Sequence, residues 1–322
     1  MLNTIKTPVE KEMLAFENFF TSQFKSDIPM LNSVLGYVGG SIGKFMRPLL
    51  VMLVAKSLGN VNSKTYSVAA ALEMLHTASL LHDDVVDDSD KRRGKPSLNA
   101  VYSNSIAVLA GDYLFSQALN NVAVTGDHRL MLELSVLGKA LSRGEMMQIE
   151  LQRTGNYNEE NYLKVIKGKT ASLFVCSAVC AAYSAGADDD VVERFRKFGE
   201  YAGICFQIKD DIFDYFSNDV GKPTGKDMLE GKITIPAIYV LEKSNNPLLE
   251  PIREKLSKAE YLDEKDIEIL IGISLEEGGV EYAGSMIDKY RSLAIEALPD
   301  DIPGELRSAL SDYVDYIVNR EK

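Results

Sequence analysis

The chain has 322 residues, of which 46% are hydrophobic and 25% charged, a composition typical of a globular protein with a sizeable core. Its formal net charge of −12 argues against a nucleic-acid-binding protein, because such proteins present a basic surface to the phosphate backbone. An anionic substrate must therefore be met by local cations or by metal ions.

The hydrophobic pattern predicts helices along nearly the whole chain and no alternating strands. The predicted helices span residues 66–88, 106–124, 130–151, 161–185, 190–216 and 233–244. Turns are predicted at 90–96, 154–156 and 186–188, and a long loop containing glycine and proline at 218–231. Neither a linker composition nor a repeat divides the chain, so we expect one all-α domain over residues 1–322, a large helical bundle.

One predicted helix is a candidate for membrane insertion. Residues 170–187 carry no charge, which reaches the lower edge of a spanning length. Their Ala, Ser, Thr, Cys and Gly content makes the segment only weakly apolar and favours a helix buried in the bundle. The N-terminus lacks a signal pattern, and Cys176, Cys180 and Cys205 give no disulfide framework. We therefore expect a cytoplasmic protein that does not span the membrane.

Two aspartate-rich segments carry the strongest functional signal. LLHDDVVDDSD, residues 80–90, and FQIKDDIFDYF, residues 206–216, both contain the pattern D-D-x-x-D. Clustered carboxylates in an apolar helix repel one another unless cations neutralise them. A solvated helix end would explain one such cluster equally well, but two copies are difficult to obtain by chance. Oxygen ligands indicate Mg²⁺ bridged to substrate phosphates. The six carboxylates are Asp83, Asp84, Asp87, Asp210, Asp211 and Asp214.

A diphosphate also needs cationic side chains, and these flank both acidic segments. Each alone is more often a surface charge, but together they predict two anion pockets beside a metal centre. His76 lies seven residues before Asp83 and shares its helix face, which makes a substrate contact as plausible as a buried core histidine. The cations are Lys44, Arg47, Arg92, Arg93, Lys169 and Lys226.

Six motifs together resemble the trans-isoprenyl diphosphate synthase (polyprenyl synthetase) family, and they are closest to members that make medium-chain and long-chain, octaprenyl-like products. The resemblance implies a homodimeric isoprenoid synthase bundle around a deep central cavity. It also implies Mg²⁺-dependent condensation of isopentenyl diphosphate with an allylic diphosphate (dimethylallyl, geranyl or farnesyl). The motifs are GKFMRP, EMLHTASLLHDDVVDDSDKRRGKPSLN, GEMMQIE, GKTASLF, FQIKDDIFDYF and GKPTGKDMLEGKITIPAI, within residues 43–238.

The resemblance assigns roles position by position. The six aspartates would bind three Mg²⁺ ions at the allylic diphosphate, which Arg92, Lys169 and Lys226 would also hold. Isopentenyl diphosphate would be bound by Lys44, Arg47, His76 and Arg93. Thr170 and Gln207 would lie near the developing carbocation. Many members have a second basic residue before the arginine of GKFMRP, and this chain departs from them there.

The resemblance implies that two positions before the first aspartate cluster influence the length of the product. Bulky aromatics stop chain growth early in short-chain members, whereas this chain has Ala78 and Ser79. The resemblance therefore predicts a longer product, of the kind used for quinone side chains, and is compatible with peripheral membrane contact for product release. The alternatives are a geranylgeranyl diphosphate synthase, a terpene cyclase or head-to-head condensing enzyme, and a silent subunit of a heteromeric synthase.

Overall fold

The structure, a computed structural model, describes residues 2–41, 43–216 and 225–320, and almost all of its regular structure is helical. The helices are α1 (Leu2–Lys6), α2 (Glu10–Ser22), α3 (Pro29–Gly39), α4 (Met46–Ser57), α5 (Ser63–Val86), α6 (Leu98–Val101), α7 (Asn104–Ala123), α8 (His128–Thr154), α9 (Glu159–Ile166), α10 (Ser172–Ala185), α11 (Asp189–Phe213), α12 (Lys226–Leu229), α13 (Ile235–Lys243), α14 (Glu250–Ser257), α15 (Glu264–Glu276), α16 (Gly279–Ala297) and α17 (Gly304–Asn319). Short 3-10 turns occupy Thr7–Val9 and Pro247–Leu249, and a π-helical turn occupies Lys167–Ala171. The predicted all-α class is confirmed.

The chain forms two compact units, each built from three segments. Unit 1 comprises Met1–Ser135, Cys176–Arg196 and Pro299–Tyr313. Unit 2 comprises Val136–Val175, Lys197–Leu298 and Val314–Lys322. The single domain predicted for residues 1–322 stays a prediction.

In unit 1, the core is built around α4 and α5. Every residue from Leu49 to Ala55 in α4 is fully buried. Helix α5 starts with a capping box, in which the Asn62 side chain accepts from the Thr65 amide and the Thr65 hydroxyl accepts from the Asn62 amide. Residues 68–75 of α5 are buried on every side. Helix α5 is therefore fixed at its start and along its length, and its last turn carries the first aspartates.

In unit 2, the π-helical turn packs tightly against two helices. A Cβ added to Gly144 of α8 would lie 2.5 Å from the backbone nitrogen of Lys169. A Cβ added to Gly203 of α11 would lie 2.5 Å from the Cα of Ala171. The missing side chains at these glycines let both helices approach the turn closely. A π-turn is rare and is often found at functional sites.

Several predicted boundaries differ from the structure. The predicted helix 66–88 ends at Val86, because Asp88 adopts a left-handed backbone with φ 48°. The predicted helix 190–216 ends at Phe213. The π-helical turn interrupts the predicted helix 161–185. Of the predicted loop 218–231, residues 218–224 lie outside the described residues, and α12 is helical.

Residues 90–96, which we predicted as a turn without strands, contain a small hairpin. Strand β1 (Lys91–Arg92) pairs antiparallel with β2 (Lys95–Pro96). Two-residue strands are too short for an alternating pattern to appear in the sequence. Between them Arg93 and Gly94 both have positive φ, 52° and 77°, as a tight primed hairpin turn requires.

One helical stretch among the described residues, Glu159–Ala185, has the length and composition to cross a membrane. However, 67% of its most apolar window is buried inside the protein. The burial agrees with our prediction of a core helix in this region.

Candidate active site

The first three aspartates lie at the C-terminal end of α5. Asp83 and Asp84 belong to its last turn, and the Asp87 amide donates to the Asp83 carbonyl at 2.8 Å, which closes the helix. Carboxylates are unfavourable at this end, because the helix macrodipole places partial negative charge there. Asp84 is buried, whereas Asp83 is half-buried and Asp87 is exposed. Helix stability does not explain this cluster, and a cation bound there would offset its charge.

Arg92 holds the buried aspartate. Its Nε and Nη2 donate to Asp84 Oδ1 at 2.9 and 2.6 Å. The guanidinium therefore offsets the cost of burying this carboxylate. Because Arg92 lies on β1, the hairpin brings a cation directly to the first aspartate cluster.

The next residue, Arg93, points to a different partner. Its Nη1 donates to the Ser41 carbonyl at 3.1 Å. A Cβ on Gly43 would stand 2.7 Å from the same nitrogen, so any side chain at position 43 would displace the guanidinium. Gly43 therefore leaves room for the Arg93 guanidinium in its present position.

A cavity of about 250 Å³ opens beside this hairpin in unit 1. It brings together several predicted site residues, but Lys44 and Arg47 are not part of its lining. Burial and the positive charges of Arg47, Arg93 and Arg92 hold the pKa of His76 well below its usual value. The imidazole is therefore neutral at physiological pH and has one N–H to donate. The acidic and basic side chains that line the cavity, together with its histidine, are Glu73, His76, Asp84, Arg92, Arg93 and Lys95.

Glu73 is a residue of this cavity that our sequence analysis missed. It is 4% exposed, and its Oε2 makes no hydrogen bond. Burial raises the pKa of Glu73, against the lowering effect of Arg47 and Arg93. The signal in the sequence is an acid inside an apolar helical run, three residues before His76 and therefore on the same face.

The second aspartate cluster lies at the C-terminal end of α11, in unit 2. Asp210 is exposed and forms an ion pair with Arg320. Asp211 is 3% exposed. Asp214 accepts from the backbone amides of Lys226 and Asp227, both at 3.1 Å, and so caps the short helix α12. For Asp210 and Asp211, the C-terminal end of α11 is again an electrostatically unfavourable position.

The charges of this cluster fit a divalent cation. Burial, followed by the Asp227 charge, raises the pKa of Asp211 to about 8. Burial, followed by the Asp214 charge, raises the pKa of Asp227 to about 6. Crowded hard oxygen ligands of this kind suit Mg²⁺. Asp227 was missed by the sequence analysis because it lies outside the D-D-x-x-D pattern.

Across residues 2–41, 43–216 and 225–320, no group of three or more His, Cys, Asp or Glu side chains is arranged to hold an ion. A protein usually supplies Mg²⁺ with one or two carboxylates, and substrate phosphates and water provide the other ligands. The set of six metal ligands stays a prediction.

The π-helical turn presents two of the predicted residues. Lys169 Nζ lies 2.6 Å from Glu145 Oε2 and donates to Gln148 Oε1 at 3.3 Å. The Thr170 hydroxyl donates to Gln207 Oε1 at 2.5 Å. The motif GEMMQIE thus supplies the side chains that orient Lys169, a role that our sequence analysis did not assign.

The remaining predicted residues are placed as follows. Lys226 is exposed, and its Nζ lies 3.3 Å from Glu230 Oε1. Ala78 is 2% exposed. The Ser79 hydroxyl donates to the His76 carbonyl at 2.9 Å. Both chain-length positions are therefore small side chains on α5, five and four residues before Asp83.

Comparison with known proteins identifies close relatives. A family model described as polyprenyl synthetase matches residues 28–271. The octaprenyl diphosphate synthase of Haemophilus influenzae is 32% identical over 314 residues, 96% of this chain and 94% of the relative. A polyprenyl synthase from Caulobacter crescentus, solved with calcium and isoprenyl diphosphate, has a TM-score of 0.90 and 29% identity, covering 100% of this chain and 98% of that chain. A geranylgeranyl pyrophosphate synthase from Bacteroides thetaiotaomicron has a TM-score of 0.84 and 39% identity, covering 99% of both chains.

Proposed function

Because the chain belongs to the polyprenyl synthetase family, we propose that it condenses an allylic diphosphate with isopentenyl diphosphate to form a longer all-trans polyprenyl diphosphate. The observation that carries this proposal is the cavity in unit 1. There Arg92 is paired with Asp84, while Arg93 and Lys95 supply further positive charge. A terpene cyclase acts on one diphosphate and has no need for cationic side chains, such as Arg93, that would bind a second diphosphate.

The carboxylates would hold Mg²⁺ at the allylic diphosphate. When bound, Mg²⁺ neutralises the negative charge that builds on the departing diphosphate and orients it. Three ions per active site are part of this proposal. The proposed ligands are Asp83, Asp84, Asp87, Asp210, Asp211 and Asp214.

The cationic side chains would divide the two substrates between them. Arg92, Lys169 and Lys226 would hold the allylic diphosphate. Arg93 and the neutral imidazole of His76 would donate to isopentenyl diphosphate. Lys44 and Arg47 complete this second set.

The reaction breaks the allylic C–O bond and leaves a carbocation and a diphosphate. The double bond of isopentenyl diphosphate attacks the cation and forms the new C–C bond. The attack leaves a positive charge on a carbon of the isopentenyl unit. The carbon next to it then loses a proton, for which the released pyrophosphate is the proposed acceptor. The hydroxyl oxygen of Thr170 and the amide of Gln207 stabilise the cation as dipoles, without forming a covalent adduct. Exclusion of water protects it from quenching.

Two product lengths are favoured by different observations. The octaprenyl relative and the small residues Ala78 and Ser79 favour a long chain suited to quinone side chains. The higher identity to the Bacteroides thetaiotaomicron enzyme favours geranylgeranyl diphosphate. We propose the long-chain product, with geranylgeranyl diphosphate as the second candidate.

The two substrate assignments can be separated by kinetics with farnesyl diphosphate, labelled isopentenyl diphosphate and Mg²⁺. Arg93→Ala should raise KM for isopentenyl diphosphate about tenfold or more, since it removes a charged hydrogen-bond donor, and leave KM for farnesyl diphosphate unchanged. Arg92→Ala should act mainly on farnesyl diphosphate. A rate independent of isopentenyl diphosphate in the unmodified protein would indicate a cyclase instead.

We also propose a cytoplasmic homodimer. The three cysteines are buried and unpaired, as expected in a reducing compartment. Light scattering on the purified protein tests the dimer. A monomeric mass for a fully active preparation would contradict it.

A further inference from the structure

Tyr162 is a buried tyrosine to which the proposed function gives no role. It lies on α9, is 5% exposed, and its hydroxyl donates to Asp211 Oδ2 at 2.6 Å. Asp211 is itself 3% exposed. Buried polar groups are costly unless they are hydrogen-bonded, and this bond gives both the Tyr162 hydroxyl and the Asp211 carboxyl group a partner. The short distance indicates a strong hydrogen bond.

The other oxygen of the Asp211 carboxyl group also accepts a hydrogen bond. Gln207 Nε2 donates to Asp211 Oδ1 at 2.7 Å. Gln207 Oε1 accepts from the Thr170 hydroxyl at 2.5 Å. One chain of hydrogen bonds therefore runs from buried Tyr162, through Asp211 and Gln207, to Thr170 in the π-helical turn.

The direction of these bonds determines what Thr170 presents. The NH₂ of Gln207 faces Asp211, and its carbonyl faces Thr170. The Thr170 hydrogen is then committed to Gln207, and the oxygen lone pairs remain for other partners. If the amide turned over, Thr170 would accept from the NH₂ and its own hydrogen would be released. A hydroxyl that presents its hydrogen would repel a carbocation.

We propose that Tyr162 is a positioning residue for the condensation, because it fixes the Asp211 carboxylate and thereby the orientation of Gln207 and Thr170. The inference rests on the proposed function, in which Thr170 and Gln207 stabilise the carbocation. Tyr162 touches no substrate itself. It should therefore affect kcat and leave KM for both diphosphates unchanged.

The direct test is Tyr162→Phe, assayed with farnesyl diphosphate, isopentenyl diphosphate and Mg²⁺. We expect kcat to fall about 10- to 100-fold, as expected for misplaced catalytic groups, with both KM values within about twofold. Tyr282→Phe is the matched control in unit 2, because its hydroxyl also donates to a carboxylate oxygen at 2.6 Å, that of Glu159. The control should keep the unmodified kcat.

A double-mutant cycle separates positioning from a general structural role. In a Gln207→Leu background, adding Tyr162→Phe should cost nothing further in kcat, because the connection is already broken. If the two substitutions lower kcat independently, so that the fold-losses of the single variants multiply in the double variant, the proposal is wrong. If Tyr162→Phe does not fold, 4-fluorophenylalanine in its place fills the volume without donating a hydrogen bond, and should give the same loss of kcat.

The outcomes distinguish this inference from the proposed function. An unmodified enzyme that does not extend farnesyl diphosphate refutes the proposed function, and the inference with it. An active unmodified enzyme whose Tyr162→Phe variant keeps full kcat refutes only the role of Tyr162. Loss of kcat with an unchanged melting temperature supports it.

Discussion

Replacing Gly144 with alanine should displace the π-helical turn that carries Lys169 and Thr170. The new Cβ would stand 2.5 Å from the Lys169 nitrogen and 2.9 Å from the Gly168 carbonyl carbon. Ordinary contact at this position begins at 3.4 Å, so the two backbones must separate by roughly 1 Å, a displacement that can cost about 100-fold in rate. Both neighbours are backbone atoms, which cannot rotate away as a side chain would.

The change in the free energy of unfolding of Gly144→Ala follows from two opposing effects. Overpacking costs about 1–3 kcal/mol, and alanine in a helix returns about 0.5–1 kcal/mol relative to glycine. We expect a net destabilisation of about 1–2 kcal/mol in chemical denaturation, together with a kcat about 10- to 100-fold lower. Extension of farnesyl diphosphate by labelled isopentenyl diphosphate measures the rate.

Gly272→Ala is the matched control. Gly272 lies inside α15, and a Cβ there meets nothing within 4 Å. This variant should be about 0.5–1 kcal/mol more stable and should keep full activity. If Gly144→Ala has normal kcat and stability, the close packing of α8 against the turn is not what orients Lys169 and Thr170, and the reasoning fails.

Three further predictions concern the cavity, the carboxyl groups and the product. Gly43→Ala should push aside the Arg93 guanidinium and raise KM for isopentenyl diphosphate about tenfold; an unchanged KM in steady-state assays would contradict the placement of Arg93. Burial raises the pKa of Asp211 to about 8 and of Asp227 to about 6, so both carboxyls bind protons more tightly in the folded state. The two carboxyls contribute their full share to the free energy of unfolding below about pH 4. The share of Asp227 is lost as pH rises through about 6, and that of Asp211 as it rises through about 8. The melting temperature of the metal-free protein should therefore fall from about pH 5 to about pH 8.5, and fall less in Asp227→Asn; an equal fall in both would refute the assignment. Ala78→Tyr and Ser79→Phe should each shorten the product on chromatography, and unchanged lengths in both would remove these residues as determinants.

The sequence predicted the fold class and most helices because their apolar residues recur at helical spacing. It did not predict the π-helical turn, since the pattern of 161–185 is continuous and the turn packs against Gly144 and Gly203, which lie in other helices. It also placed the ends of α5 and α11 too late. Asp88 continues the apparent pattern, but its backbone is left-handed.

Local spacing in the sequence was enough to single out some candidate site residues, whose roles stay predictions. The two D-D-x-x-D clusters and the adjacent Arg92 and Arg93 were all visible in this way. Tyr162 was not, because its contact with Asp211 joins residues 49 positions apart and a tyrosine on the apolar face of a helix resembles an ordinary core residue. The difference between Asp84 and Asp87 was equally hidden, since burial depends on the hairpin and not on the motif.

The most direct test of the account is mass spectrometry of the products formed from farnesyl diphosphate, isopentenyl diphosphate and Mg²⁺. We expect all-trans diphosphates longer than farnesyl diphosphate by whole five-carbon units, formed only when both substrates and the metal are present. Pyrophosphate release from farnesyl diphosphate alone, with a hydrocarbon or cyclic product and no extension, would contradict it.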